Sequence, residues 1–302
     1  MSTIDKKIVH DAYARQIARN QSDQGGHAVP PVLTDPCFFI HEELPSTNRF
    51  LVNYSGEITA RFATHGEETE LPCFCVAARQ SAGVGRRGTA WLSGADCITF
   101  SMLESLPMKP AGLSGLSLVT GVAIAETLQP ICTKPLELKW PNDVLVAGRK
   151  LSGILTEVPH FDKHGTSIVT GIGINFAPDQ RHRSIDRPII TIEELVRTDS
   201  QAVESAKANL RDNLRDILIG RLAANVYTAH QLFVQTGWAG FKQRFAERDA
   251  LEGKLVSMQQ GDAIVSGIAR GVAADGSLQV EIEGSIHTFS AGEVTLGDQA
   301  AK

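Results

Sequence analysis

Lys139-Trp-Pro-Asn-Asp143 and, shortly after it, Lys150-Leu-Ser-Gly-Ile-Leu-Thr-Glu157 set two lysines, an amide and carboxylates among short apolar runs. A lysine entering an apolar strand is costly to bury unless an anion lies beside it. The pattern therefore suits a site for a carboxylate or a phosphate; the plainer alternative is an exposed hairpin with a surface lysine. A second cluster, Gly83-Val84-Gly85-Arg86-Arg87-Gly88, places two arginines among glycines. Glycines let a backbone approach a ligand closely, and guanidinium groups offer fork-shaped donors to carboxylate or phosphate. Such a loop can close over an anion; the plainer alternative is a flexible surface loop.

The second cluster also spells G-x-G-x-x-G, the dinucleotide-binding fingerprint, and that reading fails on context. The fingerprint needs a helix to begin inside it, with a pyrophosphate at the helix N-terminus. Here Thr89-Ala-Trp91 and Ser93-Gly94 lead into a β-rich run instead. No acidic residue closes a second strand about twenty positions on.

The elements that must hold these residues follow from apolar spacing. Val144–Val146 and Ile154-Leu155 read as buried strands around a hairpin turn at Ala147-Gly148-Arg149. Further strands are expected at Phe38–Ile40, Phe74–Ala77, Cys97–Met102 and Ser167–Thr170. Ser46-Thr47-Asn48 precedes Arg49-Phe50-Leu51-Val52 and predicts a helix capped by Ser or Thr. Leu113–Leu128 carries Leu116, Val119 and Ala123 at helical spacing and is followed by Pro130. Residues 201–248 read as helices. Beyond Glu252 the chain turns to short strands, with the hairpin signals Asp275-Gly276 and Glu283-Gly284 between them. Three parts are expected: an arm and linker over 1–37, a main domain over 38–250, and a small β-barrel over 251–302. The arm reads as loosely organised, with one amphipathic helix over Ile4–Ala18 and a Gly- and Pro-rich linker over Gln21–Pro31.

Composition narrows the class. Among 302 residues, 42% are hydrophobic and 21% charged, ordinary values for a globular chain. A net charge of −5 gives no global reason to bind nucleic acid, so an anionic ligand must be met by local positive charge. No apolar run is expected to span a bilayer, and the charged N-terminus is unlike a secretion signal. Five cysteines, odd in number and irregular in spacing, fit reduced thiols of a cytoplasmic protein. Cys73 and Cys75, two apart on a strand, read as packing residues rather than a metal pair. No protein metal cage is expected.

Three motifs occur in order: Gln80-Ser-Ala-Gly83-Val-Gly85-Arg86-Arg87-Gly88-Thr-Ala-Trp91, the Lys139–Asp143 and Lys150–Glu157 pair, and Gly171-Ile-Gly-Ile-Asn175. Together they resemble the bacterial biotin protein ligases, and Ser46-Thr47-Asn48 resembles that family's biotin-contacting turn. The resemblance runs from about residue 38 to 298. It implies an α+β fold, a mixed sheet flanked by helices related to class II aminoacyl-tRNA synthetases, followed by an SH3-like β-barrel. It implies a ligase that forms biotinyl-5′-AMP from biotin and ATP with Mg²⁺. The biotinyl group then passes to a lysine of a biotin carboxyl carrier protein.

The resemblance also implies roles. Arg86 and Lys150 are the catalytic candidates. Ser46, Thr47, Asn48, Gln80, Gly83, Val84, Gly85, Arg86, Lys150 and Gly153 are the biotin-binding candidates. Arg86, Arg87, Trp91, Asn142, Lys150 and Asn175 fall to ATP or the adenylate, with Mg²⁺ near Asn142 and Asp143. Pro188-Ile-Ile-Thr191 falls where the family has an adenylate-covering loop. Plainer uses stand beside these: a helix cap for Ser46, a turn for Asn175, core packing for Trp91, and a solvated strand end or a lysine partner for Glu157. Val84 departs from the basic residue that many family members place between the first two glycines. The regulatory members' DNA-binding domain is expected to be absent, because the Ser-Thr-Asn turn is reached by residue 46. A homodimer through exposed sheet edges is compatible with the pattern. Two rival functions stand beside this one: a lipoate or octanoate ligase of the same superfamily, and a non-enzymatic biotin-sensing regulator.

Overall fold

The computed structural model describes residues 3–23, 36–64, 72–94, 97–163, 165–179, 187–196, 207–260 and 263–297. Six α-helices and twelve strands alternate along them. In chain order they are α1 (Lys6–Asp23), β1 (Cys37–Leu44), α2 (Thr47–Thr64), β2 (Cys73–Gln80), β3 (Cys97–Leu106), α3 (Leu116–Leu128), β4 (Glu137–Lys139), β5 (Asp143–Val146), β6 (Arg149–Phe161) and β7 (Thr166–Asn175). There follow α4 (Ile192–Leu195), α5 (Lys207–Thr236), α6 (Lys242–Ala246), β8 (Leu255–Gln260), β9 (Ala263–Val272), β10 (Leu278–Ile282), β11 (Ser285–Phe289) and β12 (Val294–Leu296).

Strands β1 to β7 form one mixed sheet in the order β1-β2-β3-β7-β6-β5-β4, with β1 and β2 parallel and the other pairs antiparallel. Its two faces separate by the two-residue period of a strand. Phe74, Val76, Ile98, Phe100, Met102, Ile172 and Ile174 enter the main core with α1, α3 and α5. Cys73 and Cys75 face the other way and pack with Leu51 of α2, Leu103 and Val169, as expected of packing residues. On that second face β7 is bare at residues 171 and 173, because Gly171-Ile-Gly-Ile alternates glycine with buried isoleucine.

The remaining strands form a five-stranded antiparallel sheet in the order β11-β10-β9-β8-β12, the C-terminal SH3-like unit. Its β10–β11 turn has positive φ at Glu283 (49°) and Gly284 (80°). The β5–β6 turn has the same feature at Ala147 (49°) and Gly148 (75°). Both are two-residue turns with left-handed residues, whose twist matches the flanking strands.

Two expectations are corrected. The N-terminal arm is not loose: Asp5 Oδ1 accepts from the backbone N–H of Lys7 (2.8 Å) and Ile8 (3.2 Å), capping α1. Val9, Tyr13 and Ile17 are then buried in the main core. Gly220 of α5 allows the close crossing, since a Cβ there would lie 2.3 Å from the Val9 carbonyl oxygen. The linker expected over 21–31 lies outside the described residues from 24 onward. Second, one stretch is long and apolar enough to cross a membrane by length and composition: Pro110–Ile131, 22 residues, within which an 18-residue window has mean hydropathy 1.4. It is apolar all round because α3, within it, is buried between the sheet and α5.

Candidate active site

A cleft of about 370 Å³ opens on the glycine-bearing face of the main sheet. It is lined by the start of α2, the arginine–glycine loop, the Lys139–Asp143 turn, β6, β7 and the Gly292–Val294 segment of the C-terminal sheet. Of the residues singled out by sequence, Ser46, Thr47, Asn48, Gln80, Val84, Gly85, Arg86, Arg87, Trp91, Asn142, Asp143, Lys150 and Gly153 line it. Gly83 and Asn175 do not line it. Gly83 is buried under Trp91, whose N–H donates to its carbonyl (2.9 Å). Asn175 is buried, donates from Nδ2 to the Lys150 carbonyl (3.0 Å), and borders a smaller hollow beyond Trp91.

Lys150 reaches the cleft because of a β-bulge. Val144 pairs with Ser152 but Leu145 pairs with Lys150, so Leu151 is an extra residue in β6. Strict alternation would turn Lys150 toward the core with Ser152 and Ile154; the bulge re-aims it to the side of Gly153. A Cβ on Gly153 would meet Lys150 Nζ at 3.0 Å, so the glycine leaves the ammonium its room. Lys150 is 8% exposed and ion-pairs with Asp143, while its Nζ lies 5.7 Å from the centre of the Trp91 ring. Burial lowers its pKa, and the neighbouring Asp143 carboxylate opposes that shift. Lys139, paired across the turn with Asp143, has its pKa lowered by burial in the same way. The hydrophobic segment Pro188–Ile190 runs beside Lys150, exchanging backbone bonds with it at 2.9 and 3.0 Å.

The arginine–glycine loop is a tight hairpin, closed by a Val84–Ala90 bridge and a Gly85 N–H bond to the Thr89 carbonyl (2.7 Å). No α-helix begins in it, which completes the case against a dinucleotide fingerprint. The chain itself needs Gly83 and Gly85: a Cβ would fall 2.4 Å from the Trp91 carbonyl oxygen or 2.8 Å from Thr89 Oγ1. At the tip, Arg87 sits at φ 53°, in the left-handed region. Arg86 turns inward, donating to Asn142 Oδ1 (3.4 Å) and to the carbonyl of Gly292 (3.2 Å) in the C-terminal sheet.

At the opposite end, Ser46 caps α2 by accepting from the Arg49 N–H (3.4 Å). The Thr47 N–H donates to Gln80 Oε1 (2.8 Å), and Asn48 Nδ2 donates to Glu157 Oε2 (2.7 Å). Glu157 is thus exposed, as a solvated residue would be, but it lies within β6, is engaged by Asn48, and pairs with no lysine among the described residues. Trp91 closes one wall, with its indole N–H buried and without a partner among the described residues. Sequence reasoning missed several cleft residues: Gly173, Arg187, Gly292 and Glu293. The Gly/Ile alternation of β7 signalled the first; nothing local signals the other three.

Among the described residues no three metal-ligating side chains gather. Asp143, Asn142 and Glu293 do put two carboxylates and an amide at the cleft wall. Such a set suits Mg²⁺ carried mainly by substrate phosphates rather than a protein cage.

Comparison with known proteins agrees with this geometry. Residues 55–175 match the biotin/lipoate A/B protein ligase family, and residues 253–297 match the biotin protein ligase C-terminal domain. The bifunctional ligase/repressor BirA of Escherichia coli is 34% identical over 287 residues, covering 94% of this chain and 77% of BirA. The biotin–[acetyl-CoA-carboxylase] ligase of Mycobacterium tuberculosis is 30% identical over 227 residues, 72% of this chain and 77% of that one. The biotin protein ligase from Aquifex aeolicus, solved in complex with biotin and ATP, superposes with a TM-score of 0.62 at 25% identity, covering 86% of this chain and 98% of its own. A catalytic sheet and a C-terminal unit that match in the same order, joined to a relative this similar across most of both chains, make this chain a member of the biotin protein ligase family.

Proposed function

We propose that the cleft binds biotin at its Ser46–Asn48 end and the phosphates of ATP at its cationic end, and joins them as biotinyl-5′-AMP. The observation that carries this is the charge of the lining. Five cationic side chains, Arg86, Arg87, Lys139, Lys150 and Arg187, face two carboxylates, Asp143 and Glu293, in a chain whose net charge is −5. Two anions must meet in the first step. A carboxylate oxygen of biotin attacks the α-phosphorus, and the bond to the β-phosphate oxygen breaks as pyrophosphate leaves. Cations fixed in advance at that point lower the repulsion and stabilise the charge of the transition state. Lys150 and Arg86 are the groups proposed to do this. Asp143 and Asn142 would hold a Mg²⁺ ion carried by the phosphates, which would supply further charge neutralisation. In the second step the amine of a carrier lysine attacks the acyl carbon, AMP departs, and the amine gives up its proton.

A cleft of about 370 Å³ is in the range that holds a small ligand. The buried Trp91 N–H supports an acceptor on the ligand at that wall, and the adenylate supplies several. Gln80 and Thr47 support recognition of a ring with both donors and acceptors. The test is mass spectrometry of a purified biotin carboxyl carrier domain after incubation with enzyme, ATP and biotin. Addition of one biotinyl group is expected; modification by lipoate but not biotin would overturn the assignment.

The carrier domain is the proposed protein partner, in the cytoplasm, with no nucleic-acid role. Specific, biotin-dependent retention of operator DNA would overturn the last point. A homodimer is supported by an open edge. Strand β6 pairs with β5 only as far as Gly153, and Val158 (43% exposed) and Phe161 (63%) lie on the unpaired length beyond it. Sedimentation with biotin and ATP should show a dimer that Val158→Lys weakens; a monomer at high concentration would refute it.

A further inference from the structure

A chain of polar contacts leads from the surface to the proposed biotin end of the cleft. Glu157 Oε2 accepts from Asn48 Nδ2 (2.7 Å), Asn48 Oδ1 accepts from Ser101 Oγ (2.6 Å), and Ser101 Oγ lies 2.8 Å from Thr47 Oγ1. Asn48, Ser101 and Thr47 are buried; Glu157 is exposed. Each hydrogen position follows from the first. A carboxylate accepts only, so the Asn48 atom facing Glu157 is the NH₂ group. Its oxygen therefore faces Ser101, and that oxygen also accepts only, so the Ser101 hydroxyl must donate to it. A serine has one hydroxyl hydrogen. In the remaining contact Ser101 is thus the acceptor and Thr47 the donor. With its hydrogen committed to Ser101, or to Gln80 Oε1 at 3.2 Å, Thr47 Oγ1 has only lone pairs left for the cleft.

The site is built for this arrangement. A Cβ on Gly171 would fall 2.1 Å from Asn48 Oδ1, so only glycine lets the amide lie where both contacts form. Asn48 Nδ2 also approaches the Leu155 carbonyl (3.4 Å), a second acceptor that favours the same amide orientation.

We infer that Glu157 is a positioning residue for ligand recognition. Acting through Asn48 and Ser101, it holds Thr47 as an acceptor and so selects a ligand that presents an N–H donor there. The inference rests on the biotin reading, because biotin's ureido ring carries two such donors and no competing hydroxyl. It goes beyond that reading by naming an exposed carboxylate that the ligand does not touch.

The test measures equilibrium binding of biotin, and of a biotin analogue methylated on both ureido nitrogens, by calorimetry on the full chain. In Glu157→Ala the amide keeps only the long contact to the Leu155 carbonyl (3.4 Å), so the turned amide and the reversed hydroxyls become accessible. Biotin affinity should fall about tenfold, the scale of one mis-set hydrogen bond. Discrimination against the methylated analogue should shrink by a similar factor. Glu157→Gln keeps an acceptor toward Asn48 and should stay within about threefold of wild type. Thr47→Val should weaken binding, and the double variant Glu157→Ala/Thr47→Val should be no weaker than Thr47→Val alone, because both act through one hydroxyl. Multiplicative losses in the double variant, or wild-type affinity and discrimination in Glu157→Ala, would overturn the inference. Glu157→Gln should melt with the wild type and Glu157→Ala slightly below it, since buried Asn48 Nδ2 then keeps only the Leu155 carbonyl. Failure of the unmodified chain to bind biotin would instead overturn the ligand reading.

Discussion

Gly173→Ala tests whether the cleft's bare floor is a requirement. A Cβ at residue 173 would lie 2.3, 2.5 and 2.7 Å from Cε2, Cζ2 and Nε1 of Trp91. Carbon contacts settle near about 3.5 Å, so the indole must move by about 1 Å. Retreat along the floor is closed, because a neighbouring position, Gly153, already lies under the same ring. The Trp91 backbone is tied to Gly83, so the ring must lift into the cleft. Overpacking of this kind costs about 1–3 kcal/mol of stability, visible as a lower melting temperature. The larger effect falls on chemistry: a displacement of about 1 Å at a positioned group can cost about a hundredfold in rate. ATP-dependent pyrophosphate release with biotin should therefore fall by about that factor. Gly56→Ala, in α2 with nothing within 4 Å of a new Cβ, is the control and should stabilise the protein by about 0.5–1 kcal/mol. Wild-type turnover in Gly173→Ala would refute the claim that Trp91 must lie flat on the glycine.

Lys150→Met keeps the length of the side chain and removes its charge; two unit charges about 4 Å apart at an effective dielectric near 20 interact by about 4 kcal/mol, so pyrophosphate release should fall by about a thousandfold. Near-normal release would remove Lys150 from the mechanism. Arg86→Ala loses the loop's bonds to Asn142 and Gly292, so the adenylate should escape faster in rapid gel filtration; unchanged retention would contradict the proposed closure. Asp249, half-buried beside β4, has its pKa pushed up to about 6 from 3.8 by desolvation. The folded state then binds the proton more tightly than the unfolded one, so this group's stabilisation is full below about pH 4 and lost as pH rises through about 6. Asp249→Asn keeps the acceptor for the Leu251 N–H and should raise stability at pH 8 by about 2–3 kcal/mol with little change at pH 4. An unchanged melting profile across that range would show that Asp249 ionises normally.

Much of this architecture is readable from local pattern because the controlling physics is local. The Ala147-Gly148 turn, the Ser46 cap and the alternation of β7 depend on residues within a few positions of one another. The rejection of a dinucleotide site likewise needed only the absence of a helix after Gly88. What was not legible depends on contacts between distant segments. The docking of α1 turns on Gly220, two hundred residues away, and a helix of modest amphipathicity gives no sign of where it will lie. Glu157 finds Asn48 only because α2 crosses the face of β6. Asn175 stands in a recognisable motif but braces the Lys150 carbonyl from behind the cleft. The bulge at Leu151 is hidden for another reason: alternation alone sends Lys150 into the core, and only the pairing register reveals the change of face.

The seam between the main sheet and the C-terminal unit is one-sided. Arg86 Nη1, Ser114 Oγ, Trp140 Nε1 and Trp238 Nε1 are its donors, and the carbonyls of Gly292, Asp275, Gly276 and Ala273 receive them. Main-chain oxygens are present whatever side chains the small unit carries. The polar part of docking therefore reads the course of a backbone, while Val256, Met258, Val272, Leu278 and Val294 join the main core and hold the small unit's inner face apolar. A C-terminal unit grafted from a relative should seat against these four donors where it keeps that apolar inner face. The catalytic side of the seam has less freedom, since its hydrogen bonds come from one guanidinium, one hydroxyl and two indoles.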